Sequence, residues 1–81
     1  MLHYSQLRLL NLKHFIVQHA PVHSVEVSDV KRDGTVTVKF RSSTEVSANT
    51  WTECFVKALV GTNRRYEQTD TNKVRLALSQ F

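Results

Sequence analysis

Cys54 and the four histidines, His3, His14, His19 and His23, are the residues of this 81-residue chain best suited by type to nucleophilic or metal chemistry. A cysteine nucleophile needs a positioned base beside it. Cys54 instead sits within an apolar helical pattern, where a free thiol acts as a small core residue. A metal site needs ligand pairs at helical or strand spacing, with a further Cys, Asp or Glu nearby. His19 and His23 are four apart, but Pro21 breaks the helix between them. His14 and His19 are five apart and fall on different helix faces. Neither pair makes a metal site.

The carboxylates fare no better as acid–base groups. Glu53 has the position of a helix cap, Asp33 and Asp70 fall in turns, and Glu26 lies on the polar side of a strand pattern. Glu45 and Glu67 have no partner that the sequence brings to them. The only glycines, Gly34 and Gly61, form no phosphate-binding loop. The expectation is therefore a protein that is not an enzyme, with no catalytic residue, cofactor or metal.

The elements that position these residues follow from periodicity. Leu9, Leu12, Ile16 and Ala20 recur at helical spacing, with Leu10 and Val17 widening the stripe and Phe15 beside it. This predicts a helix over about 5–20, capped by Ser5 and stopped by Pro21. From 22 to 41 the pattern is that of a β-hairpin. Val25 and Val27 alternate with polar residues, then Val36, Val38 and Phe40 do so, around a Lys31-Arg32-Asp33-Gly34 turn. The polar stretch 42–49 reads as a loop, with room for a short edge strand at 45–47. Thr50 and Glu53 have capping-box spacing ahead of a second helix over about 51–60. That helix is expected to bury Trp51, Cys54, Phe55, Ala58 and Leu59, and to end at a left-handed Gly61.

Residues 64–80 fit two templates. Val74, Leu76 and Leu78 alternate as a strand does, giving a second hairpin with Arg64–Gln68 and a turn at 69–72. Val74, Ala77, Leu78 and Phe81 also fall at helical spacing behind a loop. The hairpin is preferred, because Arg64–Gln68 otherwise lacks a partner strand. The expected fold is one α+β domain over 1–81, a small antiparallel sheet packed against two helices. The hairpin at Val25–Phe40, with its Asp33-Gly34 turn and the following Glu45-Val46, resembles part of an SH3-like or Tudor-like barrel, a likeness that implies no function.

Composition bounds the setting. The chain is 41% hydrophobic and 22% charged, as ordinary globular proteins are. One cysteine allows no internal disulfide, and no apolar run is long enough to span a bilayer, so a cytoplasmic protein without a membrane partner is expected. A chain this short buries only about 60% of its unfolded surface, so support from a partner is of value to it.

Two functions fit. One is a regulator or inhibitor that docks onto another protein or onto a second copy, through an open sheet edge or through Tyr66 and Phe81 as anchors. By analogy of size alone, phages and mobile elements encode such proteins. The other is a nucleic-acid-binding module. Eleven Lys and Arg against seven Asp and Glu give a net charge of +4 and a pI near 9.6. If Lys39, Arg41, Arg64, Arg65, Lys73 and Arg75 met around Tyr66, they would grip phosphates and stack a base. The cations are dispersed along the chain, which favours docking to protein.

Overall fold

Alternation of apolar and polar residues in 35–40 and 73–77 produces the two central strands of the sheet. The computed structural model describes residues 4–81, in which helix α1 (Tyr4–Val17) leads to a 3₁₀ turn (Val22–Ser24) and strand β1 (Val25–Val27). Strand β2 (Thr35–Phe40), helix α2 (Ala48–Gly61), strands β3 (Glu67–Asp70) and β4 (Lys73–Ala77), and a second 3₁₀ turn (Leu78–Gln80) complete the chain. The strands form one antiparallel sheet in the order β1-β2-β4-β3. This is the small α+β fold that the sequence predicts, and the second hairpin is β3–β4. Its first strand is Glu67–Asp70 rather than Arg64–Gln68, its turn is at 71–72 rather than 69–72, and Leu78 lies in the 3₁₀ turn rather than in the strand. The sheet is open, with no closure into a barrel.

Strand β2 pairs with β4 through Val36↔Leu76 and Val38↔Val74, so the apolar residues of both strands share one face. Val36, Val38, Phe40, Val74 and Leu76 on that face meet Leu12 and Ile16 of α1 and Phe55 and Leu59 of α2 in a single core. Both helices therefore lie on one side, and the other side of the sheet is bare. At its end β2 is clasped to the β3–β4 turn: Phe40 N–H donates to the Asn72 carbonyl, and Asn72 Nδ2 donates to the Phe40 carbonyl.

Several local expectations are corrected. Helix α1 ends at Val17, three residues early, in a closing turn where His19 N–H and Ala20 N–H both donate to the Ile16 carbonyl. Ser5 lies inside the helix rather than ahead of it. Helix α2 starts at Ala48 with Ser47 as its cap, whose hydroxyl accepts from Thr50 N–H at 3.2 Å. Ser47 wins over Thr50 because its hydroxyl is also bonded to the Thr50 hydroxyl at 2.8 Å, so the two side chains close the first turn together. Residues 45–47 form no strand.

Of the residues expected inward on α2, Phe55 and Leu59 are buried and Trp51 packs partly buried against the core, but Thr52 takes the buried place expected of Cys54. Thr52 donates its hydroxyl to the Ala48 carbonyl at 2.8 Å, which satisfies the polar atom and lets the rest of the side chain enter the core. Cys54 is left exposed. The left-handed residue after α2 is Asn63 (φ 58°) rather than Gly61. Asn63 N–H donates to the Val60 carbonyl and Arg64 N–H to the Leu59 carbonyl, the paired bonds of a Schellman motif. Gly34 does take the positive φ of its turn, at 81°.

Candidate functional site

The bare face of the sheet collects most of the cations singled out in the sequence. Glu26↔Lys39 and Lys39↔Lys73 are paired across strands, and Asp70 lies opposite Lys73 on the far side, so one row carries Glu26, Lys39, Lys73 and Asp70. The next row carries Thr37, Arg75 and Glu67. Arg41 bonds Glu26 at 2.7 Å, and Arg75 bonds Glu67 at 3.0 Å. Four cations thus meet three carboxylates on this face, and two of the four are held in ion pairs. The field that results is weak and patterned in sign, unlike the one-signed stripe that grips phosphates.

The remaining cations sit elsewhere. Arg64 is carried by the Schellman turn to the helical side of the sheet. There its guanidinium lies 4.3 Å from the centroid of the Phe81 ring and 5.1 Å from that of Phe15. Its Nε donates to the Gln80 carbonyl at 3.1 Å. Arg65 is tied through its backbone to the Gln80 side chain, with Gln80 Nε2 donating to the Arg65 carbonyl at 2.8 Å. Its side chain lines an open groove of about 500 Å³ together with Tyr66, Glu67 and Arg75. Tyr66 is exposed there, just ahead of β3. Phe81, by contrast, packs edge-on against Phe15 at 5.4 Å, and its carbonyl accepts from Asn11 Nδ2. It is a plug on the core.

Among the described residues no three of His, Cys, Asp and Glu lie where they would hold a metal ion. His3 lies outside the described residues. His19 meets Phe15 ring to edge at 5.1 Å. No described helix is long and apolar enough to cross a membrane. Asp33 has a local role: its carboxylate accepts from the Thr35 hydroxyl at 2.6 Å and from Thr35 N–H at 3.0 Å. These bonds, the hydroxyl's first, hold its pKa below the usual carboxylate value.

The feature that sequence reasoning missed lies at the β1 edge. Helix α1 carries more apolar residues than one face can bury. Leu12 and Ile16 enter the core, while Leu10 and Val17, expected to widen the buried stripe, remain 43% and 49% exposed. Val22, in the turn leading to β1, is 62% exposed. Between α1 and the sheet edge runs a groove of about 280 Å³, walled among the described residues by Ile16, Val17, Val22, Val25 and Val27, with Lys13 the one charged residue among them. The signal was present as an excess of Leu, Ile and Val around the whole circumference of 7–17, a pattern that surface helices avoid.

The edge beside this groove is unpaired. Ser24 C=O accepts from Arg41 N–H, Glu26 pairs with Lys39, and Ser28 N–H donates to Thr37 C=O, so the ladder to β2 runs through residues 24, 26 and 28. Ser24 N–H is taken by the Pro21 carbonyl, and Thr37 N–H donates to the Ser28 hydroxyl. Val25 and Val27 direct their backbone groups outward by the alternation of an antiparallel ladder. Val25 N–H is taken by the Val22 carbonyl, which leaves Val25 C=O and both groups of Val27 at the open edge. Comparison with protein-family models, with curated proteins and with solved structures finds no match to this chain.

Proposed function

We propose that this domain is a non-enzymatic binding protein that docks onto another protein through the flank formed by α1, the Val22 turn and β1, and so acts as a regulator or inhibitor. The observation that carries this reading is the coincidence of an apolar groove with an unpaired strand edge at one place on the surface. Apolar side chains left half-exposed around a groove favour association by roughly 25 cal/mol for each Å² they remove from water. Tyr66, the exposed aromatic anchor foreseen in the sequence, lies by β3 at the opposite edge and offers a secondary contact at most.

Binding of nucleic acid is the weaker alternative. Lys39 and Lys73 face one another, and among the described residues neither has an ion pair, which favours an anion above them. The three carboxylates on the same face oppose it. Two variants separate the readings. Val22→Glu alters the groove at a solvent-exposed position, and Lys39→Glu with Lys73→Glu reverses the bare face. Docking predicts that a partner co-purified with the tagged chain from its native host is lost with the first variant and kept with the second. Partner loss confined to the second variant, together with a salt-sensitive mobility shift on RNA or DNA, overturns the docking function.

A further inference from the structure

Given the docking function just proposed, on which this step rests, the chemistry of the groove narrows the partner. We infer that the occupant is an extended segment of another protein that adds as a strand to β1, apolar at alternate positions and carrying a carboxylate that reaches Lys13. The backbone supplies the first half of this. Val25 C=O, Val27 N–H and Val27 C=O stand unpaired at the edge, and an added strand satisfies such groups in a way that a docked helix does not. Every second side chain of that strand lies on the side of the sheet where Val25 and Val27 already face α1, and so enters the groove. The intervening side chains lie over the bare face, beside the Glu26–Arg41 pair.

Charge supplies the second half. Among the described residues Lys13 is the only charged one lining the groove, and helix α1 contains no acidic residue. An ammonium group beside an apolar wall is poorly solvated once the groove is filled, and a carboxylate from the occupant relieves that. A second copy of this chain paired through β1 fits less well, since two-fold symmetry brings a second Lys13 to the joined grooves and no carboxylate with it. The partner is therefore a different protein.

Random peptides displayed on phage and selected on the immobilised full chain test this directly. Strand addition predicts enriched peptides in which apolar residues alternate and an Asp or Glu recurs. The Val27 amide, open in the free protein, becomes protected from hydrogen exchange when such a peptide binds. Lys13→Glu, at an exposed position, weakens those peptides roughly tenfold, and renewed selection on that variant returns Lys or Arg in place of the acid.

Peptides with helical spacing that leave the Val27 amide unprotected, yet are lost with Val22→Glu, overturn strand addition and leave docking intact. A wild-type chain that sediments as a dimer and that Val22→Glu dissociates overturns the separate partner in favour of a second copy. Enrichment of nothing, or of peptides indifferent to Val22→Glu, overturns both the inference and the docking function beneath it.

Discussion

At one edge of the sheet, β1 presents Val25 and Val27 beside Val17 and Val22; at the other, β3 presents Glu67, Gln68, Thr69 and Asp70, every one exposed. The second edge also slips in register between Gln68 and Asp70, a bulge that spoils it as a template for further strands. Charge and irregularity are the usual means of keeping an edge from pairing. The β1 edge has no such bulge; its Glu26–Arg41 pair lies on the bare face, and its groove side carries only Lys13 among the described residues. One chain thus guards one edge and leaves the other open, and a difference of that kind within 81 residues points to use at the unguarded side.

The sharpest way to strain this comparison is to remove support beneath the open edge. Ile16 forms part of the groove from its buried side. Ile16→Ala is expected to destabilise the fold by about 2–5 kcal/mol in urea titration, while Gln68→Ala at the guarded edge stays within about 0.5 kcal/mol. Equal losses at the two edges would remove the contrast. Next in size is Arg64, which ties the β3 side to α1 through two rings and a carbonyl. Arg64→Ala should lose about 1–2 kcal/mol, and Arg64→Lys should recover only part of it, since an ammonium cannot lie flat between two rings.

A smaller effect is expected of Glu67→Ala, which breaks a largely exposed ion pair with Arg75 and should change stability by about 0.2–1 kcal/mol, less at high salt. Its more telling outcome is association: with Asp70→Val added, sedimentation should show concentration-dependent self-pairing at β3. A chain that stays monomeric shows that the charges were not the guard. The smallest effect concerns Asp33, in the loop joining β1 to β2. Its folded pKa lies below the ordinary 3.8, so its contribution to stability is present above that pH and is lost as pH falls through the folded value. Thr35→Val removes the hydroxyl bond, and the Asp33 titration followed by NMR should move back up toward 3.8.

The first hairpin was legible in the sequence because a period of two is local, and its 31–34 turn because Gly34 supplies the positive φ that the loop needs. The second was legible only in part, since Val74, Ala77, Leu78 and Phe81 fit a helix as well as a strand. The facing of α2 was legible at Phe55 and Leu59 but not at Thr52, a polar residue made fit for the core by a bond to its own helix. Reading apolar types alone put Cys54 inward, and the thiol faces water. Whether the cations meet depends on β2 lying beside β4, a pairing between segments more than thirty residues apart that no local pattern specifies. That pairing gathers Lys39, Arg41, Lys73 and Arg75 and brings Glu26, Glu67 and Asp70 with them. The groove escaped notice for a different reason: Val17, which lines it, reads as a core residue by type and spacing, yet the fold leaves it 49% exposed.

The bonds from Arg8 to the Ser79 carbonyl and from Asn11 to the Phe81 carbonyl join groups 71 and 70 positions apart. During synthesis, then, α1 leaves the ribosome with its Leu-rich surface bare and must wait for residues 78–81 before these two bonds can form. Closing so long a loop late makes assembly slow for a chain of this size, and the waiting helix is what a chaperone would meet first.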